Sequence, residues 1–434
     1  MDRRERRRKA IIRRRIFVTC VCAVLVVALV AIGLCINAII NSADVGKDKP
    51  SKGSQSQSSE NDSQESQVES GDRSVSATVL NTGDILIHDN LLWGAKQSDG
   101  TYDFSAFFKE SRSIIGAADF AVANLEVTLG GEAAGKYRGY PGFNSPDSLI
   151  DNLKADGFDM LLTSNNHSLD TGLAGLKRTV QQLKARGMGF LGTKETSDDP
   201  TYIVKNVNGI KIGMVCYTYG TNSSAAGAAS FINTFSNSNL DAFYSAAQSV
   251  IDSMKSDGAE AIVFYMHWGE EYKTSPNTYQ KSIAQRLCNM GVDVIVGAHP
   301  HVIQPIDILY SEDSQNTTVC LYSMGNAISN QRIEEMTGVC TTGHTEDGVF
   351  FSYTFTKDSE GDVALSGVDI IPTWVNRYGN TGDYDYTVYP LKTADMADSY
   401  GLDNATARKA RASYERTMAI VGEGLKKCNE KIGN

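Results

Sequence analysis

The sequence predicts an α/β fold that is preceded by one membrane-spanning helix. Helical patterns alternate with short apolar strand patterns along most of the chain, and a glycine stands between each helix and the strand that follows it. Such alternation is typical of folds in which helices cover sheets. An uncharged apolar run near the N-terminus supplies the membrane-spanning helix, and Asn208-Gly209 between two strand patterns adds a β-hairpin to the sheet system.

The first 40 residues combine a basic segment with an apolar one. Residues 1–15 contain nine Lys and Arg and two acidic residues, whereas the 25 residues of 16–40 contain no charge. A spanning helix needs about 20 residues, and the apolar region of a cleaved signal peptide has only about 7–15. We therefore expect an uncleaved anchor in the cell membrane, with residues 1–15 cytoplasmic and everything after residue 40 outside the cell.

Residues 41–74 predict a disordered linker between the anchor and a folded extracellular domain, residues 75–434. Ser, Gln, Glu and Asp dominate the linker and it has no aromatic residue, so it cannot bury enough apolar surface to fold. The overall charge is −10, and because residues 1–15 carry +7, the rest of the chain carries −17. An acidic domain of this kind argues against nucleic acid as a partner.

Four segments of the predicted domain repeat the order helix, glycine, strand. The first, residues 103–126, begins with a helical pattern, and the glycines of the four segments are Gly116, Gly157, Gly258 and Gly291. Each glycine suits the left-handed residue at a helix end, and each following apolar run is typical of a buried strand. Residues 76–84 form the opening strand, residues 302–371 contain further paired strands, and residues 402–428 form a closing helix.

Five of the six histidines stand at or just after predicted strand ends, beside carboxylates and amides. They are His88, His167, His267, His299 and His301. Ligands of α/β sheets bind beyond the carboxyl ends of the strands, so these side chains are expected to converge. Carboxylate oxygens, an amide oxygen and imidazoles together suit Zn, Mn or Fe, and the sequence therefore predicts a site for a divalent metal.

The His299-Pro300-His301 segment is the most specific part of this pattern. In an extended segment residues two apart face the same way, and Pro300 favours extended geometry at His299, so both imidazoles should aim at one point. The other residues also have ordinary structural interpretations. Asp84 could cap a helix, and Glu126 could be a solvated charge.

Six sequence blocks occur in a fixed order: NTGDILIHD, ANLEVTL, TSNNHSLDTG, MHWGEEY, GAHPHVIQP and YSMGNAI. Over roughly residues 76–330 this ordered set resembles the CapA-type poly-γ-glutamate capsule biosynthesis proteins, which are related to the calcineurin-like metallophosphoesterases. The resemblance implies a four-layer α/β/β/α sandwich with a metal site at one end. It also implies a metal-dependent hydrolase of metallophosphoesterase type.

The resemblance implies a role for each residue of these blocks. The implied metal ligands are Asp84, Glu126, Asn166, His267, His299 and His301. His167 is implied to protonate the leaving group, with Asp170 orienting it. The residues implied to contact the substrate or support the ligands are His88, Asn124, Asn165, Glu271 and Asn326.

The blocks also depart from the phosphoesterase pattern. Its first motif is Asp-x-His, but Leu86 stands where the ligand histidine would be, and His88 would have to reach round from a turn to replace it. Glu126 replaces the usual bridging Asp, and Asn165 replaces a Gly. The cofactor is accordingly one ion of Mn, Zn or Fe, or one such ion with a second held loosely.

The implied function is poly-γ-glutamate capsule biosynthesis by a membrane-anchored extracellular protein with a hydrolase or transferase site. One alternative is a non-catalytic assembly or export scaffold beside membrane-bound capsule synthases. Another is a metallophosphoesterase that acts on a different extracellular substrate. The implied partners are the membrane, those synthases and poly-γ-glutamate or another cell-surface polymer. Lys136 and Arg138, beside aromatics in residues 135–143, either meet substrate carboxylates or belong to a solvated loop.

The five cysteines beyond residue 40 match no zinc or redox spacing. Cys216, Cys288 and Cys320 have apolar neighbours in the sequence and are expected to be small buried hydrophobic residues. A disulfide between Cys320 and Cys340 is left open by the sequence.

Overall fold

The computed structural model of the protein describes residues 74–432. The predicted basic segment, the predicted membrane anchor and the predicted linker up to residue 73 lie outside the described residues. Across 74–432, none of the helices is both long and apolar enough to cross a membrane.

The described residues form seven α-helices and two β-sheets. The helices are α1 (Asp89–Ala95), α2 (Arg112–Ile115), α3 (Ser148–Ala155), α4 (Gly172–Ala185), α5 (Leu240–Ser256), α6 (Thr278–Asn289) and α7 (Asn404–Ile432). The strands are β1 (Val75–Ile85), β2 (Phe120–Leu125), β3 (Met160–Leu162), β4 (Gly189–Leu191), β5 (Tyr202–Val207), β6 (Ile210–Thr218), β7 (Ala261–His267), β8 (Val294–Ala298), β9 (Ile306–Tyr310), β10 (Thr317–Leu321), β11 (Asn326–Ile328), β12 (Asp347–Lys357), β13 (Val363–Asn380) and β14 (Asp383–Pro390).

The first sheet has eight strands in the order β14-β13-β12-β1-β2-β3-β4, and β11 also pairs with β1. Strands β1 to β4 are parallel, whereas β12, β13 and β14 are joined in antiparallel pairs. The short strand β11 runs parallel to β1 and places Asn326 opposite Asp84. The carboxyl ends of β1 and β2 therefore lie side by side at one edge of this sheet.

The second sheet has six strands in the order β5-β6-β7-β8-β10-β9. The four central strands are parallel, and β5 and β9 add antiparallel edges. The turn between β5 and β6 has left-handed residues at Asn208 (φ 47°) and Gly209 (φ 89°), as an Asn-Gly hairpin requires. The predicted hairpin is confirmed.

The two sheets pack face to face and helices cover their outer faces. Val79 and Val122 of the first sheet share one apolar core with Met214 and Val263 of the second. A second core joins the first sheet to α1, α3 and α4, and a third joins the second sheet to α5 and α6. The predicted α/β class is confirmed, with a mixed system of two packed sheets.

The glycines predicted to end helices fall into two groups. Gly157, Gly258 and Gly291 have φ values of 106°, 86° and 84°, the left-handed conformation that glycine adopts without strain. Gly116 instead has φ −73° and follows the four-residue helix α2. The left-handed conformation is thus confirmed at three of the four positions.

The prediction of a helix that begins at residue 103 is wrong for most of the segment, because α2 is the only α-helix that forms there. The backbone between 103 and 111 uses its polar groups elsewhere. Phe107 O accepts a hydrogen bond from Val388 N of β14 (2.8 Å), and Phe104 N donates to Asn152 Oδ1 (3.0 Å). These tertiary bonds replace the helical ones.

The predicted strands stop at residue 371, but the sheet continues through the rest of β13 and through β14. The polar side chains of this hairpin obscure its strand pattern, although the structure buries part of them. Arg377 Nη1 donates to Asn330 Oδ1 (3.0 Å) and to Glu335 Oε1 (2.7 Å), and Tyr386 OH donates to Asn330 Oδ1 (2.6 Å). Because these buried side chains are polar, the alternation of apolar and polar residues that predicts a strand is missing from this hairpin.

All five cysteines of the described residues are buried and carry free thiols. The burial expected for Cys216, Cys288 and Cys320 is confirmed. Cys320 and Cys340 do not form a disulfide.

Gly297 in β8 shows how tightly the strand that leads to His299 is packed. A Cβ at Gly297 would overlap Tyr322 O and lie 2.7 Å from Trp268 Nε1. We expect Gly297→Ala to lower the free energy of unfolding by about 1–3 kcal/mol in denaturant titrations. Gly367→Ala is the control, since its nearest heavy atom is Thr354 Cβ at 4.0 Å. Equal stability of the two variants would contradict this packing argument.

Candidate metal centre

Five donor side chains from four strand ends meet where the carboxyl edges of the two sheets come together. They are Asp84 at the end of β1, Glu126 after β2, His267 at the end of β7, and His299 and His301 after β8. The donor atoms of Glu126, His299 and His301 lie within 4.8 Å of one another, and so do those of Asp84, Glu126 and His267. All five side chains are buried. The cluster therefore draws carboxylates from the first sheet and imidazoles from the second.

Asp84 is tied to both halves of the cluster. Its Oδ2 lies 3.1 Å from His301 Nδ1 and accepts a hydrogen bond from the His299 backbone N–H at 3.3 Å. Its Oδ1 accepts a hydrogen bond from Asn124 Nδ2 at 2.7 Å. The carboxylate is thereby fixed in one orientation before any cation binds.

Three asparagines brace the cluster. Asn124 Nδ2, which contacts Asp84, also lies 3.3 Å from Glu126 Oε2. Asn165 Nδ2 donates to Leu125 O (2.9 Å), and Asn166 Oδ1 lies 2.9 Å from His267 Nε2. The Asn166 amide oxygen thus stands beside the imidazole that the sequence predicts as its fellow ligand.

Burial decides the protonation of the cluster. It lowers the pKa of His267 to about 3 and that of His299 well below its usual range, so both imidazoles are neutral. Burial, together with the charge of Asp84, raises the pKa of Glu126 well above its usual value. Burial opposes ionisation of Asp84 as well, but contact with His301 lowers its pKa overall. A cation would stabilise this arrangement. Neutral imidazoles can donate electron pairs to it, and its charge offsets the repulsion between the two carboxylates when both are ionised.

Two buried donor atoms of the cluster have no hydrogen-bond partner among the described residues: Glu126 Oε1 and His299 Nδ1. An unpartnered buried polar atom typically costs about 1–3 kcal/mol, and a metal ion would provide the missing partner for both. Together with the oxygen and nitrogen donor set, these atoms fit a divalent transition metal.

The backbone of the His299-Pro300-His301 segment is not extended. His299 has φ 96° and His301 has φ 57°, both in the left-handed region that non-glycine residues rarely adopt. The two imidazole centroids nevertheless lie 5.8 Å apart. The predicted extended geometry is wrong, and left-handed turns on both sides of Pro300 bring the rings together at a cost in backbone strain.

His167 and Asp170 form a pair beside the cluster. His167 Nδ1 lies 2.7 Å from Asp170 Oδ2, which also accepts a hydrogen bond from Phe143 N at 2.7 Å. His167 Nε2 lies 3.4 Å from Asn222 Nδ2. The carboxylate therefore fixes the imidazole orientation and leaves Nε2 as its reactive nitrogen.

A cleft of about 480 Å³ opens onto His167 and His301. Its other lining residues are Leu86, His88, Tyr140, Pro141, Gly142, Phe143, Asn222, Ser223, Glu271, Tyr272 and Gln331. Lys136 and Arg138 do not line it, and Arg138 Nη1 donates to Ala134 O (3.1 Å) within its own loop. A substrate would therefore reach the donor cluster through a cleft that is walled by aromatic groups, polar groups and the carboxylate of Glu271.

The remaining predicted residues lie around the cluster. His88 stands on the cleft outside both donor groups, and its Nδ1 lies 3.3 Å from Leu86 O and from Asn330 N. Glu271 also lines the cleft. Asn326 donates to Gln331 Oε1 and to Thr345 O, both at 2.9 Å, and so supports the cleft wall from behind.

The structure adds residues that the sequence did not indicate. The ring of Tyr219 lies 4.7 Å from that of His299, and Asn222, Tyr272 and Gln331 line the cleft. Tyr219 directly follows β6, so extending the strand-end argument to the hairpin would have found it. Asn222 and Gln331 stand in loops, where no periodic pattern marks them, whereas Tyr272 ends the MHWGEEY block and could have been included with Glu271.

The chain is similar to known capsule proteins. Residues 78–331 match the family model for the bacterial capsule synthesis protein PGA_cap. The chain is 29% identical over 223 residues to the PGA biosynthesis protein CapA of Bacillus subtilis (strain 168), covering 50% of this chain and 52% of that one. It is 30% identical over 189 residues to the capsule biosynthesis protein CapA of Bacillus anthracis, covering 43% and 44%. The matches thus span about half the length of these relatives.

Two solved structures are distantly similar. A NAD nucleotidase of Haemophilus influenzae has a TM-score of 0.44 at 14% identity, covering 80% of this chain and 64% of that chain. The sulfate thiohydrolase SoxB of Thermus thermophilus has a TM-score of 0.35 at 15% identity, covering 73% and 46%. Similarity at this level carries no argument about the reaction. Because the family model covers more than half of the chain, the protein belongs to the bacterial capsule synthesis protein family PGA_cap.

Proposed function

We propose that this protein acts in poly-γ-glutamate capsule biosynthesis through a divalent-metal site that catalyses hydrolysis or group transfer. One observation carries the proposal: two carboxylates and three imidazoles converge in a buried cluster whose Glu126 Oε1 and His299 Nδ1 have no partner among the described residues. Family membership supplies the capsule context. The name of the Bacillus subtilis relative, PGA biosynthesis protein CapA, supports poly-γ-glutamate as the polymer.

The residues that would hold the ion are Asp84, Glu126, Asn166, His267, His299 and His301. A bound cation supplies Lewis-acid chemistry, which polarises the oxygen of an acyl or phosphoryl group and favours attack by water or another nucleophile. Asn124 holds both carboxylates in place. His167 gives a proton from Nε2 to the departing atom of the substrate, and Asp170 stabilises the imidazolium before that transfer.

The proposed setting is the outer face of the cell membrane. The uncharged 25-residue run over 16–40 and the basic residues that precede it support a single anchor with a cytoplasmic N-terminus. Membrane-bound capsule synthases would then be neighbours of the folded domain. Protease protection of an epitope tag at each end of the chain in intact cells tests this orientation.

Metal analysis of the purified full-length chain tests the proposed site. We expect stoichiometric Zn, Mn or Fe in the wild type, and loss of most of it in His299→Ala and in His301→Ala, because each change removes an imidazole donor. His344→Ala is the matched control, since His344 lies outside both donor groups and should keep the ion. A wild-type chain that binds no metal would rule out the proposed chemistry.

A non-catalytic scaffold of a capsule-synthesis complex is the second candidate function. It is favoured by the side chains around Asp84: Leu86 is buried and apolar, and His88 Nδ1 already contacts Leu86 O and Asn330 N. Product release from phosphodiester and γ-glutamyl test substrates separates the two candidates. Release that requires added Mn or Zn and disappears in His301→Ala supports the enzyme, whereas metal binding without turnover supports the scaffold.

A further inference from the structure

The cleft above the donor cluster has an unusual charge balance for a protein that handles a polyanion. Among its described lining residues, Glu271 is the one carboxylate, and none is Lys or Arg. Arginines of neighbouring segments are engaged elsewhere: Arg138 donates to Ala134 O, and Arg377 donates to Glu335. Among its described lining residues, the cleft therefore has no Lys or Arg with which to bind a substrate carboxylate.

The negative charge of Glu271 raises the pKa values of acidic groups around the cleft. After burial, it is the next cause that raises the pKa of Tyr219 to about 12 and the pKa of Tyr272 above its usual value. It also contributes to the raised pKa of Glu126, after burial and Asp84. A group that enters the cleft therefore meets the negative charge of Glu271 before it reaches the donor cluster.

The cleft walls add aromatic surface beside this carboxylate. Tyr140 is 69% exposed and the half-buried Tyr272 lines the same cleft, whereas Phe143 lies fully buried in its wall. The face of an aromatic ring attracts cations, and a carboxylate next to such rings strengthens that preference. Aromatic walls around a single negative charge are typical of sites that bind an ammonium group.

We infer that the cleft binds a primary ammonium group of the substrate, with Glu271 as the specificity-determining residue. The inference rests on the proposed function, and it refines the substrate class of the same site. A γ-linked glutamate polymer has a carboxylate on every residue but only one free amino group, at its amino end. The site therefore engages such a polymer at that end, because internal segments bring only carboxylates to Glu271.

Equilibrium binding to the full-length chain in detergent tests the inference without any need for turnover. The probes are a γ-linked glutamate oligomer with a free amino end, the same oligomer acetylated at that end, and an α-linked oligomer with a free amino end. We expect acetylation to weaken binding about fivefold or more in the wild type, because it removes both an ionic contact with the exposed Glu271 carboxylate and a cation–π contact with the aromatic wall. Tight binding of the γ-linked oligomer alone identifies the γ-linked polymer as the source of the ammonium group. Equal binding of the α-linked oligomer extends the site to peptides in general.

Two substitutions of neighbouring carboxylates complete the experiment. Glu271→Gln should bind the free and acetylated oligomers with similar affinity. Glu270→Gln is the matched control and should keep the discrimination, because Glu270 is an exposed carboxylate like Glu271 but contacts Asn277 Nδ2 (3.3 Å) and does not line the cleft. Both variants should keep their metal content and thermal stability.

Several outcomes would overturn the inference. They are equal binding of the free and acetylated oligomers to the wild type, binding of neither, and loss of metal from Glu271→Gln, which would make Glu271 a support of the ion. Failure of the proposed function can be distinguished from failure of the inference. The ratio of the affinities for the free and the acetylated oligomer can still be measured on a wild type that lacks metal or turnover. A wild type that turns over substrate without discrimination removes only the inference.

Discussion

Replacing His167 with Gln should lower kcat by about 10²–10⁴-fold, the usual contribution of a general acid. His167 Nδ1 is held by Asp170 at 2.7 Å, so Nε2 is the nitrogen that can deliver a proton into the cleft. Gln has no group that can transfer this proton. KM and metal content should change little, because His167 belongs to neither donor group.

The leaving group provides the decisive measurement for His167. A substrate with an acidic leaving group, such as a nitrophenol, departs without protonation, so its kcat should fall much less than that of an alkyl ester or amide. His344→Gln is the control and should match the wild type on both substrates. An equal loss on both substrates would assign His167 a structural role instead.

Glu126→Gln should change the stability of the protein in opposite directions with and without metal. In metal-free protein, Glu126 is a buried carboxyl next to Asp84 with no partner for Oε1 among the described residues. Replacing this carboxyl with a neutral amide should raise the free energy of unfolding by about 1–3 kcal/mol near neutral pH, since burial and Asp84 hold Glu126 protonated in the folded protein whereas it ionises in the unfolded chain. Thermal unfolding after treatment with a chelator measures this gain.

Added metal should reverse the order of stability. An ion at a thousand times its Kd stabilises the wild type by about 4 kcal/mol, whereas Glu126→Gln lacks the carboxylate shared by both donor groups and should gain little. Glu346→Gln is the matched control. Glu346 is a buried carboxylate too, but it pairs with Arg332 Nη2 at 3.1 Å, so its loss should destabilise the protein with and without metal. A Glu126→Gln variant that is less stable under both conditions would contradict a cation site.

The donor residues could be predicted because the ends of strands can be located from the sequence. Apolar runs mark β1, β2, β7 and β8, and the carboxyl ends of parallel strands share an edge. This brings Asp84 close to Glu126 in the first sheet, and His267 close to the two histidines after β8 in the second. The face-to-face packing of two sheets, which completes the cluster, came only from the family resemblance.

Other parts of the site depend on tertiary contacts that no local pattern encodes. The left-handed backbone of His299 and His301 is stabilised by bonds such as the one from His299 N to Asp84 Oδ2, which joins residues 215 apart in sequence. The same holds for the segment after residue 103, where bonds from β14 and Asn152 replace helical ones. Asn222 reaches His167 from a loop, and loop positions show no periodicity.

The buried free thiols can report on transient local opening of the folded protein. Cys216 lies in the core between the sheets and Cys428 on the closing helix, and burial raises the pKa of both thiols to about 12. A protonated, inaccessible thiol does not react with alkylating reagents or oxidants. Labelling at each cysteine therefore proceeds only through transient opening around it, and the rates compare how readily different layers of the sandwich come apart.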